Sequence, residues 1–111
     1  MDKRDRILLT KISSETTIIK DLIAGFDCNT FVGDEKTKRA VCMTLINIGE
    51  MVKLLSDSMK QSNQSIPWRS IAGLRDVTAH GYQTLRMEDI WETVTGDIPA
   101  LHKLIERLLN D

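Results

Sequence analysis

One stripe of apolar side chains constrains the fold of this chain more than any other feature. Between about Asp34 and Met59, large apolar residues recur at intervals of three and four positions: Val41, Leu45, Ile48, Val52, Leu55 and Met59. This spacing is typical of an amphipathic α-helix with one buried face. Asp34 is a suitable N-cap for that helix. The buried face needs partners of the same kind, because a single helix cannot cover its own apolar side.

Three further segments have helical periodicity, at about Arg4–Phe26, Trp68–His80 and Met87–Leu109. Pro99 removes a backbone donor from the last of them, so we expect a kink near Gly96–Asp97. No strand pattern and no internal repeat is visible. The sequence therefore predicts one all-α domain over residues 1–111, folded as a four-helix up-down bundle.

The net charge, the apolar runs and the cysteine and histidine content make several classes of protein and kinds of site improbable for this chain. The net charge of −1 gives no strong overall field, so any contact with nucleic acid must come from a local patch. No apolar run is long enough to cross a bilayer and no signal peptide is visible, which predicts a cytoplasmic protein. Cys28 and Cys42 are then expected to be reduced thiols. The chain has two histidines, His80 and His102, and no acidic residue joins the two of them at ligand spacing, so we expect neither a metal site nor a cofactor.

The segment from Leu74 to Tyr82 holds the candidate functional residues. Arg75 is a permanent cation that can hold two phosphate oxygens at once. His80 can move protons near pH 7. Tyr82 could orient one of them by a hydrogen bond, or stack on a base. These residue types suffice for cleavage of RNA without a metal ion.

The same residues also admit a purely structural interpretation. His80 would then lie favourably in the last turn of a helix, and Arg75 would pair with a surface carboxylate. Asp76 could orient Arg75 or His80, or could simply be solvated. Gly49 costs helix stability unless another helix approaches closely, in which case Glu50 could reach a cation such as Arg75. Residue types alone leave these alternatives open.

The order arginine, four residues, histidine, one residue, tyrosine resembles the motif of HepT-like toxins in the HEPN superfamily. Residues 48–50 (Ile-Gly-Glu), 66–68 (Ile-Pro-Trp) and 97–101 (Asp-Ile-Pro-Ala-Leu) also fit, so that the resemblance covers nearly the whole chain. Asp76 departs from the pattern, because HepT-like chains often have asparagine there.

The resemblance implies a helical bundle that forms a homodimer, with Arg75 and His80 of both copies facing one cleft. It implies a metal-independent endoribonuclease that acts as the toxin of a type II-like toxin–antitoxin pair. It also implies an antitoxin partner, a minimal nucleotidyltransferase of the MntA type that inactivates the toxin by transferring AMP onto Tyr82. Asp76, Tyr82 and Glu50 are the expected supporting residues. The alternative is a non-catalytic substrate-binding subunit that presents Tyr82 to a nucleotidyltransferase.

Overall fold

The chain folds into helices joined by short connections. A computed structural model describes the side chains of residues 1–76 and 82–111, and in this part of the chain no strand is present. The α-helices are α1 (Lys3–Leu22), α2 (Cys28–Val32), α3 (Glu35–Leu54), α4 (Asp57–Gln61), α5 (Trp68–Gly81), α6 (Met87–Glu92) and α7 (Ile98–Asn110). A 3₁₀ turn spans Tyr82–Thr84, and a π-helical turn spans Thr93–Asp97. The prediction of an all-α bundle is confirmed.

The long helix α3 lies at the centre of the packing. It contacts α5 on one side and α1 on the other, and α1 in turn contacts α7. The predicted apolar stripes form the common core, with Ile12, Leu45, Leu101 and Ile105 fully buried. Removal of this apolar surface from water is the main force that holds the bundle together.

The first helix ends earlier than the sequence predicted. It ends at Leu22 rather than near Phe26, because Gly25 takes a left-handed backbone conformation with φ of 82°. The short helix α2, which the sequence did not predict, follows directly. Its N-cap Asp27 accepts a hydrogen bond from the backbone N–H of Thr30, and its Phe31 is fully buried beside the ring of Trp91.

The central helix also ends earlier, at Leu54 rather than Met59. The predicted N-cap of this helix is correct, because Asp34 accepts from the backbone N–H of Thr37 at 2.9 Å. The break is fixed from α1, where the buried carboxylate of Asp5 accepts from the backbone N–H and the hydroxyl of Ser56 at 2.9 and 2.6 Å. Ser56 then caps α4, so the last apolar position of the stripe, Met59, belongs to a separate helix.

The predicted interruption of the last helical segment takes the form of a π-helical turn. The backbone N–H of Ile98 donates to the carbonyl of Thr93, five residues earlier. Pro99 lacks a backbone donor, and its ring would crowd the carbonyl of residue 95 in a regular α-helix. The wider turn accommodates both effects and keeps Val94 and Ile98 buried on the same side.

Candidate active site

Arg75 lies where α5 packs closely against α3. The contact is possible because residue 49 of α3 is glycine. A Cβ atom at Gly49 would lie 2.9 Å from the backbone nitrogen of Arg75 and 3.1 Å from the carbonyl oxygen of Ala72. Real Cβ atoms essentially never lie closer than 3.0 Å to another heavy atom, so the first of these contacts would force the backbone to move. The expectation that a close helix approach explains Gly49 is therefore confirmed.

Two carboxylates position the guanidinium of Arg75. Its Nε atom donates to Oε1 of Glu50 at 2.5 Å, and its Nη1 atom donates to Oδ1 of Asp76 at 2.9 Å. One carboxylate comes from α3 and the other from the neighbouring residue on α5. The predicted contacts of Glu50 and Asp76 with Arg75 are both present in the structure.

The Arg75 side chain remains a cation that solvent can reach. The hydrogen bond and the negative charge of Glu50 raise the pKa of Arg75 further, and Asp76 adds to this effect. About 40% of its side-chain surface is exposed. A charged, held and accessible guanidinium is the type of group that binds a phosphate diester.

Tyr82 lies in a second polar cluster, built on the first turn of α3. Its hydroxyl donates to Oε1 of Glu35 at 2.7 Å, and its ring lies beneath the guanidinium of Arg39, 4.9 Å from the ring centroid. Arg39 and Lys38 also contact the Glu35 carboxylate, at 2.9 and 3.1 Å. Tyr82 was expected to orient Arg75 or His80, or to stack on a base. Among the described residues its hydroxyl donates to Glu35, and a contact with His80 and stacking on a base stay predictions.

The Glu35 contact shifts the titration of both partners. The hydrogen bond from Tyr82 and the bond from Lys38 lower the pKa of Glu35, which keeps this carboxylate ionised. Burial raises the pKa of the Tyr82 phenol, and the bond to Glu35 raises it further. At neutral pH the pair is therefore a protonated phenol that donates to a carboxylate.

His80 falls within the range of α5, five positions after Arg75. Its side chain lies outside the described residues. The expectation that His80 faces the same cleft as Arg75 therefore stays a prediction.

Glu35 and Arg39 are the residues of this region that the sequence did not single out. Their spacing of four on one helix predicts a mutual ion pair, which is present. Their contact with Tyr82 spans 47 positions of the chain and depends on how α5 packs on α3. Outside residues 77–81, no group of three or more His, Cys, Asp or Glu residues could hold a metal ion.

Most of this chain matches one known protein family. Residues 12–108 match the family model of the ribonuclease HepT-like proteins. The chain belongs to this family. HepT-like proteins are endoribonucleases, and the resemblance that the motif at Arg75, His80 and Tyr82 indicated is thereby confirmed.

Curated relatives match over nearly their full length. "Probable ribonuclease HepT" of Thermococcus cleftensis is 32% identical, over 97% of this chain and 98% of the relative. "Putative RNase TTE0752" of Caldanaerobacter subterraneus subsp. tengcongensis is 34% identical, over 96% of both chains. "Putative RNase MJ0127" of Methanocaldococcus jannaschii is also 34% identical, over all of this chain and 93% of the relative. No solved structure matches the chain significantly. No helix in the described part of the chain could span a membrane.

Proposed function

We propose that this HepT-like protein is the toxin of a toxin–antitoxin pair and cleaves RNA without a metal ion, using Arg75 and His80. The observation that carries the proposal is the guanidinium of Arg75, which Glu50 and Asp76 hold at the surface. Glycine at position 49 is needed for that placement.

The proposed reaction uses the ribose 2′-hydroxyl as nucleophile. Its oxygen bonds to phosphorus, the bond from phosphorus to the 5′-oxygen breaks, and a 2′,3′-cyclic phosphate remains. His80 takes the proton of the 2′-hydroxyl, and a second acid protonates the leaving 5′-oxygen. Arg75 stabilises the extra negative charge on the phosphate oxygens in the transition state.

A homodimer supplies the second acid. Two copies of His80 across a twofold axis provide one base and one acid, and two copies of Arg75 clamp one phosphate. The RNA substrate would therefore bind in a cleft to which both chains contribute.

The test is RNA cleavage by purified protein in the presence of EDTA. We expect Arg75→Ala and His80→Ala each to lower cleavage by at least about 100-fold, the usual scale for loss of a charge-stabilising or acid–base group. Circular dichroism should be unchanged, because Arg75 is exposed. Product ends should carry 2′,3′-cyclic phosphate. Full cleavage by either folded variant, or a strict metal requirement, would contradict the proposal.

We further propose that an MntA-type nucleotidyltransferase antitoxin silences the enzyme by transferring AMP from ATP onto Tyr82. The supporting observation is the hydrogen bond from the Tyr82 hydroxyl to Glu35, an ionised carboxylate that can accept the phenolic proton. The added phosphodiester is negatively charged and bulky, so it would compete with RNA for the cations of the cleft.

A second candidate function is a non-catalytic subunit that only presents Tyr82 to the nucleotidyltransferase. The Glu35–Tyr82–Arg39 cluster favours it, because this cluster does not involve Arg75 in the described residues. Expression of the chain alone in a bacterial host separates the two functions. Growth arrest with loss of RNA supports the enzyme, and normal growth with intact RNA supports the presenting subunit.

A further inference from the structure

Four large apolar side chains stay exposed along α1 and α3. The exposed fractions are 48% for Ile7, 44% for Ile18, 60% for Met43 and 50% for Leu54. Ile7 and Ile18 are eleven residues apart, and so are Met43 and Leu54. Eleven residues make about three helical turns, so each pair lies on one face of its helix.

Contacts between α1 and α3 fix their relative level. Glu15 accepts from the side-chain amide of Asn47 at 2.9 Å, and Asp5, ten residues earlier on α1, accepts from Ser56, just past the last residue of α3. The helices are therefore antiparallel, and a step along α1 from Glu15 corresponds to an about equal step back along α3 from Asn47, to within one residue. Ile7 then lies level with Leu54, and Ile18 lies level with Met43.

The result is a surface with apolar side chains at both ends and polar side chains between them, here called the α1–α3 face. Its apolar ends are about 16 Å apart, from eleven residues at 1.5 Å each. Its polar centre contains exposed side chains that lie between the two ends along each helix: Lys11, Glu15, Asn47 and Glu50. When this surface is turned end to end, apolar side chains again lie at both ends and polar side chains again lie at the centre.

We infer that the α1–α3 face joins two copies of this chain about a twofold axis that crosses both helices. Such an axis places α1 against the partner's α1 and α3 against the partner's α3, in opposite directions. Ile7 then packs on the Ile18 of the other copy, and Met43 on its Leu54. All four exposed apolar side chains lose their contact with water.

The polar centre of the face is complementary under the same rotation. Lys11 comes opposite the second copy's Glu15, and Asn47 comes opposite its Glu50. A cation meets a carboxylate and an amide donor meets a carboxylate, and each pair occurs twice. Like charges do not face each other, which favours this pairing over a chance contact between apolar patches.

The position of Arg75 selects this axis over the other twofold axis, which runs along the helices. Glu50 lies within about 3 Å of the level midway between Met43 and Leu54, at 1.5 Å per residue, and it holds Arg75. An axis across the helices brings both copies of α5 to the same edge, so the two Arg75 side chains approach each other. The other axis places them at opposite edges. This step rests on the proposed function, in which one phosphate uses both copies.

Disulfide trapping tests the face directly. The background carries Cys28→Ser, because Cys28 is partly exposed, whereas Cys42 is buried and burial raises its pKa to about 11. Chains with Ile7→Cys are mixed with chains with Ile18→Cys and oxidised. We expect a covalent dimer to form at least about tenfold faster than with Ile7→Cys and Leu54→Cys chains, because a disulfide needs Cα atoms within about 7 Å. Faster linking of the second mixture, or none in either, would overturn the inference.

Light scattering supplies a second measurement. Ile18→Asp or Met43→Asp should raise the dimer dissociation constant at least about tenfold, because an unpaired carboxylate would be buried between the copies. Lys103→Asp, on the exposed side of α7, should leave it unchanged. Lys11→Glu should weaken the dimer, and Lys11→Glu combined with Glu15→Lys should restore it. Circular dichroism checks that each variant is folded.

The two proposals fail in different ways. A covalent dimer between residues 7 and 18 without RNase activity would refute the proposed reaction and support the face. RNase activity in a parent protein that stays monomeric would refute the face. A dimer that survives every α1–α3 variant would place the contact on another surface and would also refute it.

Discussion

The hydroxyl of Tyr82 has a proton acceptor, which matters for any enzyme that modifies this residue. Transfer of AMP forms a bond between the phenolic oxygen and the α-phosphorus of ATP, and pyrophosphate leaves. The phenolic proton must go elsewhere, and Glu35 is 2.7 Å from the oxygen that carries it. The lowered pKa keeps Glu35 ionised at neutral pH, so an oxygen that can accept the proton is in place, although the same shift makes Glu35 a weaker base than an unpaired carboxylate.

The first prediction concerns Tyr82 and its hydrogen-bond partner Glu35. With an MntA-type nucleotidyltransferase, the partner class proposed above, and ATP, the parent chain should gain AMP by intact mass, and Tyr82→Phe should gain none. Glu35→Gln should slow the gain by roughly 100-fold, the scale expected for loss of a general base. Arg39→Gln keeps the acceptor and serves as the control. Modification that maps to another residue would remove Tyr82 from the regulation.

The second prediction concerns the fork of Arg75. Lysine keeps the charge but has a single nitrogen, so it cannot bond to Glu50 and Asp76 with two nitrogens and still offer a planar fork to phosphate. Arg75→Lys should therefore lower kcat/KM for RNA by about 100-fold, corresponding to roughly 2.7 kcal/mol.

Two variants control for the Arg75 result. Arg69→Lys, an exposed arginine on the same helix, should change kcat/KM by less than about twofold. Asp76→Asn keeps an oxygen that accepts from Nη1 and should lose only a few-fold in activity, roughly the effect of one exposed ion pair. Wild-type activity in Arg75→Lys would show that charge alone suffices.

At the scale of elements, alanine substitution of two glycines on facing helices should change the free energy of unfolding in opposite directions. An added Cβ at Gly49 would collide with the backbone of α5, whereas one at Gly73 would have no described atom within 4 Å. Alanine at Gly73 should raise the free energy of unfolding by about 0.5–1 kcal/mol, the gain in helix propensity. Alanine at Gly49 should lower it by about 1–3 kcal/mol despite the same gain, because backbone must move. Urea denaturation measures both, and a stabilised Gly49→Ala would contradict the close packing.

The positions of the long helices could be predicted because they depend on a single feature of the sequence. The spacing of apolar residues located the long helices, because burial of one face is what that spacing records. Their ends were misplaced at Phe26 and Met59 because the stripe continues past the break. The actual ends depend on a left-handed Gly25 and on the bonds from Ser56 to Asp5, a contact between positions 51 apart.

The candidate site could likewise be predicted only in part from the sequence. Arg75, Asp76 and Tyr82 could be selected from residue types and motif order, and Glu50 from its place beside an unusual helical glycine. The partner of Tyr82 could not be found in this way. Glu35 and Arg39 look like an ordinary surface pair until α5 packs against α3 and brings the ring over them.

At the scale of the whole molecule, the site depends on how many chains contribute to it. If one phosphate uses His80 from both copies, then a dimer with one altered copy has no working pair of base and acid. If each chain works alone, an altered copy has no effect on its neighbour. Mixed dimers therefore distinguish a shared cleft from two independent sites.

The last prediction uses such mixtures. Parent protein and His80→Ala protein are combined in equal amounts, allowed to exchange subunits, and assayed for RNA cleavage. Random pairing leaves about a quarter of the dimers with two parent chains. A shared cleft then retains about a quarter of the activity of an all-parent sample at the same total concentration, whereas independent sites retain about half. Parent protein mixed with Lys103→Asp protein, which keeps the motif, should retain full activity. A linear dependence on the parent fraction would mean that each chain cleaves RNA with its own Arg75 and His80.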